Sequence, residues 1–498
     1  MLADLMAPAS DVVFEPSPVS SSAAGPGLTT ACGFAVAPGV MARWQGWGVV
    51  FALLAPSWAC GLTLAPVFRE GAVLQRDRAL PVWGQASAGE SVVVEFGGQR
   101  VETVAGPDGR WQAVLAPMPA DGRSRDLVAT GAETVVVRDV VVGEVWLVSG
   151  QSNMEWPLRY SKDRDVEILA ARWPLIREFK VERQASDIPR TDVAGEWRAA
   201  TPDRVAEFSG VAYAFARDLH AVLGVPVGII NCTYGGTPIE PWLPPDTIHS
   251  PRPADEAAHA PGALFHGMIA PLSPFGVRGF LWYQGEANAN RRRAHEYAPL
   301  FQALIRTWRA HFGVEEAPFY WAQLAPFRRA DIASDEWARL REAQAAALAL
   351  PHTGQAITLD VGDVNDIHPK DKATVGRRLA RLALRRTYGF EVLDRGPVMT
   401  RVMREADGFR VYFENATGGL RTTAGAIRGF EVAGSDRVFH LAEAKAEDDT
   451  VWVRSAQVPE PVALRYAWRN DPEATLINRP GLPAEPFRTD DWPARGEP

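Results

Sequence analysis

A serine, a histidine and nearby carboxylates are the residues of this chain whose types and spacing could perform nucleophilic catalysis. Ser152 lies in residues 150–154 (Gly-Gln-Ser-Asn-Met), just after an apolar run at 141–148. His368 ends residues 360–368, where three aspartates precede it. A serine hydroxyl needs a base to take its proton, and that base needs a carboxylate to orient it. The pattern predicts Ser152 as a nucleophile and His368 as its base, although a serine in this position alone could equally cap a helix.

Two further motifs also follow apolar runs. Residues 234–240 (Tyr-Gly-Gly-Thr-Pro-Ile-Glu) contain paired glycines, whose backbone can approach a ligand and offer a free N–H. Residues 282–288 (Trp-Tyr-Gln-Gly-Glu-Ala-Asn) carry side-chain amides and a carboxylate, and an amide donor there could complete an oxyanion hole. Each motif alone has a structural alternative: a tight turn for the glycines, and a surface or capping role for Glu286.

The elements that must position these motifs alternate between strand and helix. Near-continuous apolar runs predict parallel strands buried on both faces, at 141–148, 227–231, 279–283, 318–323 and 355–359. Apolar residues at helical spacing predict helices at 208–223, 297–312, 337–348 and 372–388. This alternation predicts an α/β fold with a doubly wound parallel sheet, and a functional site beyond the carboxyl ends of its strands.

Additional β structure is predicted on both sides of the α/β region. Short β-branched runs separated by turn residues predict an N-terminal β-sandwich region at 62–140. Strand-period alternation predicts a C-terminal β region at 392–498, which either forms its own domain or completes the N-terminal sandwich. The catalytic domain is predicted to span 141–391 between them.

The first 60 residues predict an extension and an export signal. Residues 1–40 are rich in Ala, Pro, Ser and Gly, which predicts a disordered extension, and Met41 is the predicted true start. A basic residue after Met41, an apolar run at 47–55 and small residues at 57–59 follow the order of a secretory signal. A signal peptide at about 41–60 predicts a secreted or periplasmic protein; the alternative is a plain disordered tail.

Composition excludes several classes of partner and site. The formal net charge is −8 and no Lys/Arg run stands out, which argues against nucleic acid and anionic membrane surfaces. The apolar run at 47–55 is too short to span a membrane stably. The three cysteines, Cys32, Cys60 and Cys232, exclude a disulfide framework and a cysteine-based zinc site. No His/Asp spacing indicates a metal site, so no metal and no cofactor are predicted.

Taken together, the four motifs resemble the SGNH (GDSL-type) hydrolases, which have a flavodoxin-like fold, and specifically the sialate O-acetylesterase-like carbohydrate esterases. The resemblance covers roughly 62–390 and includes residues 265–272 (Phe-His-Gly-Met-Ile-Ala-Pro-Leu). It implies a serine carboxylic-ester hydrolase, an acetylesterase, that removes acetyl groups from sugars. Acetylated sialic acid and acetylated plant polysaccharides such as xylan both stay open as substrates.

The resemblance also implies roles for individual residues. Ser152 attacks the acetyl carbonyl, and His368 takes its proton and later gives it to the sugar oxygen. The Ser152 N–H contributes to the oxyanion hole. Four further residues complete that hole or hold the loops in place: Gly236 and Gln284 as oxyanion donors, and Asn153 and Glu286 as loop supports.

The orienting acid departs from the family pattern. Enzymes of this superfamily often carry the acid three residues before the histidine, and that position is Asn365 here. Asp366, two residues before His368, is the predicted orienting acid, and Asp363, five residues before it, is the alternative. A Ser-His dyad oriented by a backbone carbonyl is also open.

Two other functions stay open at this point. One is a general short-chain, aryl or lipid esterase on the same fold, and the other is a non-catalytic glycan-binding protein. The predicted partner is an acetylated mono-, oligo- or polysaccharide, with no prediction of oligomeric state. Aromatic side chains near the motifs could stack on sugar faces or belong to the core: Trp156, Tyr234, Trp242 and Trp282.

Overall fold

A mixed β-sheet forms the centre of the computed structural model, which describes residues 61–248, 260–328 and 335–492. These residues belong to one compact unit, Pro56–Pro498. The predicted extension and the signal peptide at about 41–60 lie outside the described residues. In the part of the chain that the structure describes, no helix is both long and apolar enough to cross a bilayer.

The N-terminal strands form two layers that bury alternate side chains. The first eight strands are β1 (Thr63–Leu64), β2 (Val73–Gln75), β3 (Leu80–Gln85), β4 (Ser91–Phe96), β5 (Gln99–Val104), β6 (Arg110–Leu115), β7 (Asp121–Thr130) and β8 (Thr134–Gly150). One sheet has the order β1-β3-β6, whereas β5, β4 and β7 join β8 in a second sheet. Val92 and Val94 of β4 and Trp111 and Ala113 of β6 are buried, and the residues between them face outward.

Strand β8 joins the N-terminal layers to the α/β region. It is 17 residues long, so the strand predicted at 141–148 is the last part of a longer strand that begins within the N-terminal β region. Its first part pairs antiparallel with β7, and its last part pairs in parallel with its two neighbours in the central sheet. One apolar core extends across both regions. The predicted boundary near 140 therefore falls inside a continuous strand.

The central sheet is parallel except at one edge. Six strands join β8 in it: β9 (Trp173–Val181), β10 (Gly195–Ala200), β11 (Val227–Thr233), β12 (Gly279–Tyr283), β13 (Phe319–Ala322) and β14 (Thr353–Ala356). The order is β10-β9-β11-β8-β12-β13-β14, and only the edge strand β10 runs antiparallel to its neighbour. The sequence predicted five of these strands and missed β9 and β10.

Four helices lie close to the predicted ranges, and three shorter ones were not predicted. They are α1 (Ser152–Glu155), α2 (Arg164–Ala170), α3 (Gly210–Leu223), α4 (Glu286–Asn290), α5 (Ala294–His311), α6 (Glu336–Ala345) and α7 (Lys372–Arg386), together with a π-helical turn at Phe265–Ile269. Val211, Phe215 and Leu219 of α3 are fully buried, as are Leu379 and Leu382 of α7. The two helices pack against each other. The α/β architecture is confirmed, and its doubly wound detail stays a prediction.

The C-terminal strands pair with one another in the described part of the chain. They are β15 (Val398–Glu405), β16 (Gly408–Glu414), β17 (Arg421–Thr422), β18 (Phe430–Ala433), β19 (Phe439–Leu441), β20 (Glu443–Glu447), β21 (Thr450–Arg454), β22 (Ala463–Tyr466), β23 (Leu476–Ile477) and β24 (Phe487–Arg488). Two four-stranded sheets have the orders β15-β16-β21-β20 and β19-β18-β22-β24. They enclose a second apolar core, which also contains Ile357 and Leu359. These two residues leave the central sheet after β14, so the predicted strand at 355–359 ends earlier than its apolar pattern indicated.

Candidate active site

Ser152 sits at a tight strand-to-helix junction at the carboxyl end of β8. Gly150 ends the strand with a φ of +131°, and a Cβ there would lie 2.1 Å from the Tyr283 carbonyl oxygen of β12. Only glycine fits this close approach of two backbones. The Gln151 N–H donates to the same carbonyl at 3.0 Å, which ties the turn to the neighbouring strand. Ser152 then begins α1 with its side chain partly exposed.

His368 meets Ser152 although 216 residues separate them along the chain. The His368 Nε2 lies 2.9 Å from the Ser152 Oγ, within hydrogen-bond distance. The indole of Trp156 stacks on the imidazole, with ring centres 4.7 Å apart and planes inclined by 22°. The structure thus brings the predicted nucleophile and base into contact and supports the base with an aromatic ring.

Asp366 lies nearer to the imidazole than Asp363 does. The Asp366 Oδ1 is 3.9 Å from the His368 Nδ1, which is too long for a hydrogen bond, and it accepts the backbone N–H of His368 at 2.9 Å. The Asp366 Oδ2 accepts from the Lys370 Nζ at 3.0 Å. Asp363 is exposed, and its Oδ1 accepts the Asn365 N–H at 2.9 Å in a local turn.

The charges around the pair favour a neutral base and an ionised acid at neutral pH. Burial lowers the pKa of His368, the nearby Lys372 and Lys370 lower it further, and Asp366 opposes them. For Asp366, partial burial favours the neutral acid, but hydrogen bonds from the His368 N–H and Lys370 outweigh it, so the pKa of this carboxyl is lowered. The imidazole can therefore accept the serine proton.

The paired glycines of the second motif lie against the nucleophile. The Tyr234 N–H donates to the Gly150 carbonyl at 3.1 Å, which fixes this motif to the Ser152 turn. A Cβ at Gly235 would lie 3.4 Å from the Ser152 Cβ, and the Gly235 N–H donates to Glu155 Oε2 at 3.0 Å. Gly236 has a φ of +80° with open space around it, and within the described ranges its N–H has no hydrogen-bond acceptor. The role of Gly236 as an oxyanion donor stays a prediction.

The Gln284 amide is fully buried between motifs instead of facing the cavity beside the nucleophile. Its Nε2 donates to Asn288 Oδ1 at 2.8 Å, and it lies 3.2 Å from both Gln151 Oε1 and the Thr237 carbonyl. These contacts tie the third motif to the first and second. The role of Gln284 as an oxyanion donor stays a prediction, while the observed contacts are those of a residue that shapes the site.

Hydrogen bonds of Asn153 and Glu286 connect the loops of the site, and their role as loop supports stays a prediction. The Asn153 Nδ2 donates to Glu286 Oε1 at 2.5 Å and to the Ile367 carbonyl at 2.9 Å. The first motif is thereby joined to the third and to the fourth. Burial raises the pKa of Glu286, although the bond from Asn153 and the charge of Lys372 oppose this rise.

A cavity of about 540 Å³ opens beside Ser152 and His368. Charged side chains of both signs line it: Glu155, Glu178, Lys180, Arg183, Arg198 and Glu207. Lys180 Nζ donates to Thr233 Oγ1 at 2.8 Å, and Arg183 Nη2 lies 2.7 Å from Glu155 Oε1. Trp156, Pro157 and Phe208 also line the cavity, so it presents both charged and apolar surface to a ligand. A larger groove of about 750 Å³ lies beside Trp83, but neither Ser152 nor His368 lines it.

Comparison with known proteins identifies the family of this chain. Residues 142–385, from β8 to α7, match the family described as "Carbohydrate esterase, sialic acid-specific acetylesterase". A carbohydrate acetylesterase from Xanthomonas citri is 42% identical, with a TM-score of 0.82 over 86% of this chain and 100% of that one. This chain belongs to the sialate O-acetylesterase family of carbohydrate esterases. The Homo sapiens sialate O-acetylesterase is 29% identical over 71% of this chain and 78% of its own, and that of Rattus norvegicus is 29% identical over 66% and 74%.

Membership of the sialate O-acetylesterase family confirms the resemblance and the enzyme class inferred from the motifs. The chain is an ester hydrolase with carbohydrate O-acetylesterase activity. Within the described ranges, no group of three or more His, Cys, Asp or Glu side chains is arranged to hold a metal ion. Cys232 is buried and is not disulfide-bonded.

Sequence reasoning missed several side chains at the site of this carbohydrate esterase. Glu178, Lys180 and Arg198 lie on β9 and β10, whose charged residues hid the strand pattern. Lys372 was also missed, although its position four residues after His368 was a usable signal. Of the four aromatic candidates, Trp156 lines the cavity and Tyr234 lies under the Arg183 guanidinium at 4.8 Å. The other two, Trp242 and Trp282, are fully buried core residues.

Proposed function

We propose that this esterase removes acetyl groups from sugars through an acyl-enzyme formed on Ser152, with His368 as general base and general acid. One observation carries the proposal: the Ser152 Oγ lies 2.9 Å from the His368 Nε2 beside an open cavity. Hydrogen-bond distance between nucleophile and base is the geometry that serine catalysis requires.

The reaction proceeds in two halves. His368 Nε2 takes the Ser152 proton as Oγ attacks the acetyl carbonyl carbon, and the tetrahedral intermediate collapses as the imidazolium protonates the departing sugar oxygen. Water then attacks the acetyl-serine, again giving its proton to His368, and acetate leaves as the proton returns to Ser152 Oγ. The N–H groups of Ser152 and Gly236 stabilise the oxyanion in both halves, and losing one such donor typically costs about 10²–10³ in rate.

Asp366 is the proposed orienting acid, which makes the site a Ser-His-Asp triad. Its carboxylate lies near the imidazole without a direct hydrogen bond to it. Its distance of 3.9 Å from the His368 Nδ1 supports electrostatic stabilisation of the imidazolium rather than a direct hydrogen bond. Asp363, the alternative acid, is exposed and accepts the Asn365 N–H, and Asp366 is the nearer carboxylate to the imidazole. Gln284, Asn153 and Glu286 support the catalytic loops through their buried contacts.

An acetylated glycan is the proposed substrate, with O-acetyl sialic acid and acetylated hemicellulose such as xylan as the two candidate classes. The charged lining of the cavity supports a hydroxyl-rich leaving group. The names of the human and Xanthomonas citri relatives, a sialate O-acetylesterase and a carbohydrate acetylesterase, support the same class. A general short-chain or aryl/lipid esterase is the second candidate, and the contact between Ser152 and His368 disfavours a non-catalytic glycan-binding role.

The experiment is acetate release from a panel of O-acetyl sialic acids, acetylated xylan and acetylated mannan. We expect release by the natural protein and at least about 10³-fold less by Ser152→Ala and by His368→Ala, both still folded. Acetyl esters should be preferred over octanoyl esters. Full activity of Ser152→Ala would refute the mechanism, and a preference for octanoyl esters would favour the lipid esterase.

Export to the periplasm or the medium is a further part of the proposal. It is supported by the basic, apolar and small-residue order at about 41–60. Amino-terminal sequencing of the protein recovered outside the cytoplasm should find a new terminus near 60.

A further inference from the structure

Lys372 is a buried lysine beside the catalytic pair. It begins α7 four residues after His368, and its side chain is only 1% exposed. Lysines are almost never buried so deeply unless their charge is paired or used. Its ammonium lies 5.7 Å from the centre of the Tyr283 ring and 5.5 Å from that of Trp156. It does not line the cavity beside Ser152.

The Lys372 ammonium donates a hydrogen bond to the Asn153 Oδ1. An ammonium can only donate, so the amide oxygen of Asn153 must face it and the amide nitrogen must face the other way. There the Nδ2 donates to the Ile367 carbonyl at 2.9 Å and to Glu286 Oε1 at 2.5 Å. Asn153 follows Ser152, and Ile367 precedes His368. Lys372 thus fixes the orientation of the Asn153 amide, which links the turn that carries Ser152 to the loop that carries His368.

The charge of Lys372 also acts on the imidazole. Trp156, which lies 5.5 Å from the ammonium, stacks on His368 at 4.7 Å, so the lysine lies next to the ring that supports the base. A nearby positive charge disfavours the imidazolium. Burial is the largest cause of the lowered pKa of His368, Lys372 and Lys370 lower it further, and Asp366 opposes them.

Charged and polar side chains on the elements around Lys372 act on its ammonium. Glu286 on α4 attracts the ammonium, Lys370 on the base loop repels it, and Asp366 attracts it. Burial outweighs these charges and lowers the pKa of Lys372 to about 7. Asn153 on α1 and Tyr283 on β12 contribute a hydrogen bond and a ring contact but no charge.

We propose that Lys372 is a positioning residue of the esterase reaction, which holds the Ser152 turn and the His368 loop together through Asn153 and keeps His368 in its neutral, proton-accepting form. The proposal rests on the proposed Ser152–His368 mechanism. It assigns two separable contributions to one side chain: a hydrogen bond that sets geometry, and a charge that sets the pH range of activity.

Three substitutions separate these contributions. Lys372→Met removes both the donor and the charge, Lys372→Gln keeps an amide donor without charge, and Lys372→Arg keeps donor and charge. Lys445→Met, at an exposed lysine of the C-terminal β region, is the matched control. The readouts are kcat and KM for acetyl ester hydrolysis across pH, with the melting temperature of each variant.

For Lys372→Met we expect kcat to fall by about 10- to 100-fold, because a small misplacement of reacting groups is costly, while KM stays within about twofold. The acid limb of kcat/KM reports the pKa of the free base, and it should move up by about half a pH unit or more once the positive charge is gone. Lys372→Gln should recover part of kcat but keep the shifted limb. Lys372→Arg should restore the limb, and Lys445→Met should match the natural protein.

A folded Lys372→Met with kcat within twofold of the natural protein and an unmoved acid limb would overturn the proposal. Loss of folding in all three variants would also overturn it, since Lys372 would then serve stability alone. If Ser152→Ala keeps full activity, the proposed mechanism itself fails. If Ser152→Ala is inactive while the Lys372 variants behave like the control, only the positioning role fails.

Discussion

Replacement of Asp366 by Asn measures how strongly a carboxylate that is close, but not hydrogen-bonded, assists His368. The Asp366 Oδ1 stands 3.9 Å from the imidazole Nδ1. The substitution keeps an oxygen that can accept the His368 backbone N–H, at 2.9 Å in the natural protein. It therefore removes the negative charge, together with its ion pair to Lys370 Nζ at 3.0 Å, and leaves the hydrogen bond to the His368 N–H in place.

The size of the effect follows from this distance and from exposure. Unit charges at this separation attract by about 1 kcal/mol in water and by about 4 kcal/mol at an effective dielectric constant near 20. The Asp366 side chain is 37% exposed, so solvent screens the pair and the lower part of this range, about 1–2 kcal/mol, applies. This corresponds to a decrease in kcat of about 5- to 30-fold. A directly hydrogen-bonded triad acid is worth about 10⁴.

The assay compares kcat and kcat/KM for 4-nitrophenyl acetate among the natural protein, Asp366→Asn and the matched control Asp363→Asn. The control should stay within about twofold, because Asn retains the oxygen that accepts the Asn365 N–H. A larger loss from Asp363→Asn than from Asp366→Asn would contradict the assignment of the acid. A loss near 10⁴ from Asp366→Asn would contradict the distance argument, and no loss would indicate a Ser-His dyad.

Two predictions concern the stability contributed by residues of β8, the strand that leads to Ser152. Glu144→Gln should lower the free energy of unfolding by about 3–5 kcal/mol in urea titrations, because this fully buried carboxylate is paired with two arginines. The control Glu405→Gln, in a partly exposed ion pair, should lower it by less than about 1 kcal/mol. Equal losses of stability in the two variants would disprove the reasoning. Gly150→Ala should cost at least about 3 kcal/mol, because its Cβ would lie 2.1 Å from the Tyr283 carbonyl. Gly89→Ala, which has a positive φ but open space, should cost about 1–2 kcal/mol, and calorimetry showing similar melting temperatures would rule out the close-approach argument.

The local apolar pattern predicts a strand correctly where the neighbouring elements of the same sheet bury its residues. The strand at Gly279–Tyr283 was predicted to the residue, since all five of its residues are buried. The strand predicted at 355–359 ended early because Ile357 and Leu359 serve the C-terminal core instead of the sheet. An apolar run in the sequence predicts that its residues are buried, but it does not indicate which hydrophobic core they join.

The strand at Trp173–Val181 was missed for the opposite reason. Two of its charged residues are buried with partners that lie far along the chain: Arg177 Nη2 is 3.1 Å from Asp139 Oδ1, and Glu178 Oε1 accepts from the Asn231 amide at 2.9 Å. Such pairing makes a polar sequence compatible with the interior. Because the partners are contributed by other strands, no local pattern could have revealed them.

The sequence by itself determined the chemistry and its approximate place: a serine, a histidine, a glycine pair and an amide-rich motif, each just after a buried strand. Parallel strands end at one edge of a sheet, so these motifs had to converge there. Only the tertiary structure decided which groups touch: the contact of Ser152 with His368, the nearer aspartate and the buried Lys372. The physical reason is that such contacts depend on strand register and loop packing between segments more than 200 residues apart, which no local spacing encodes.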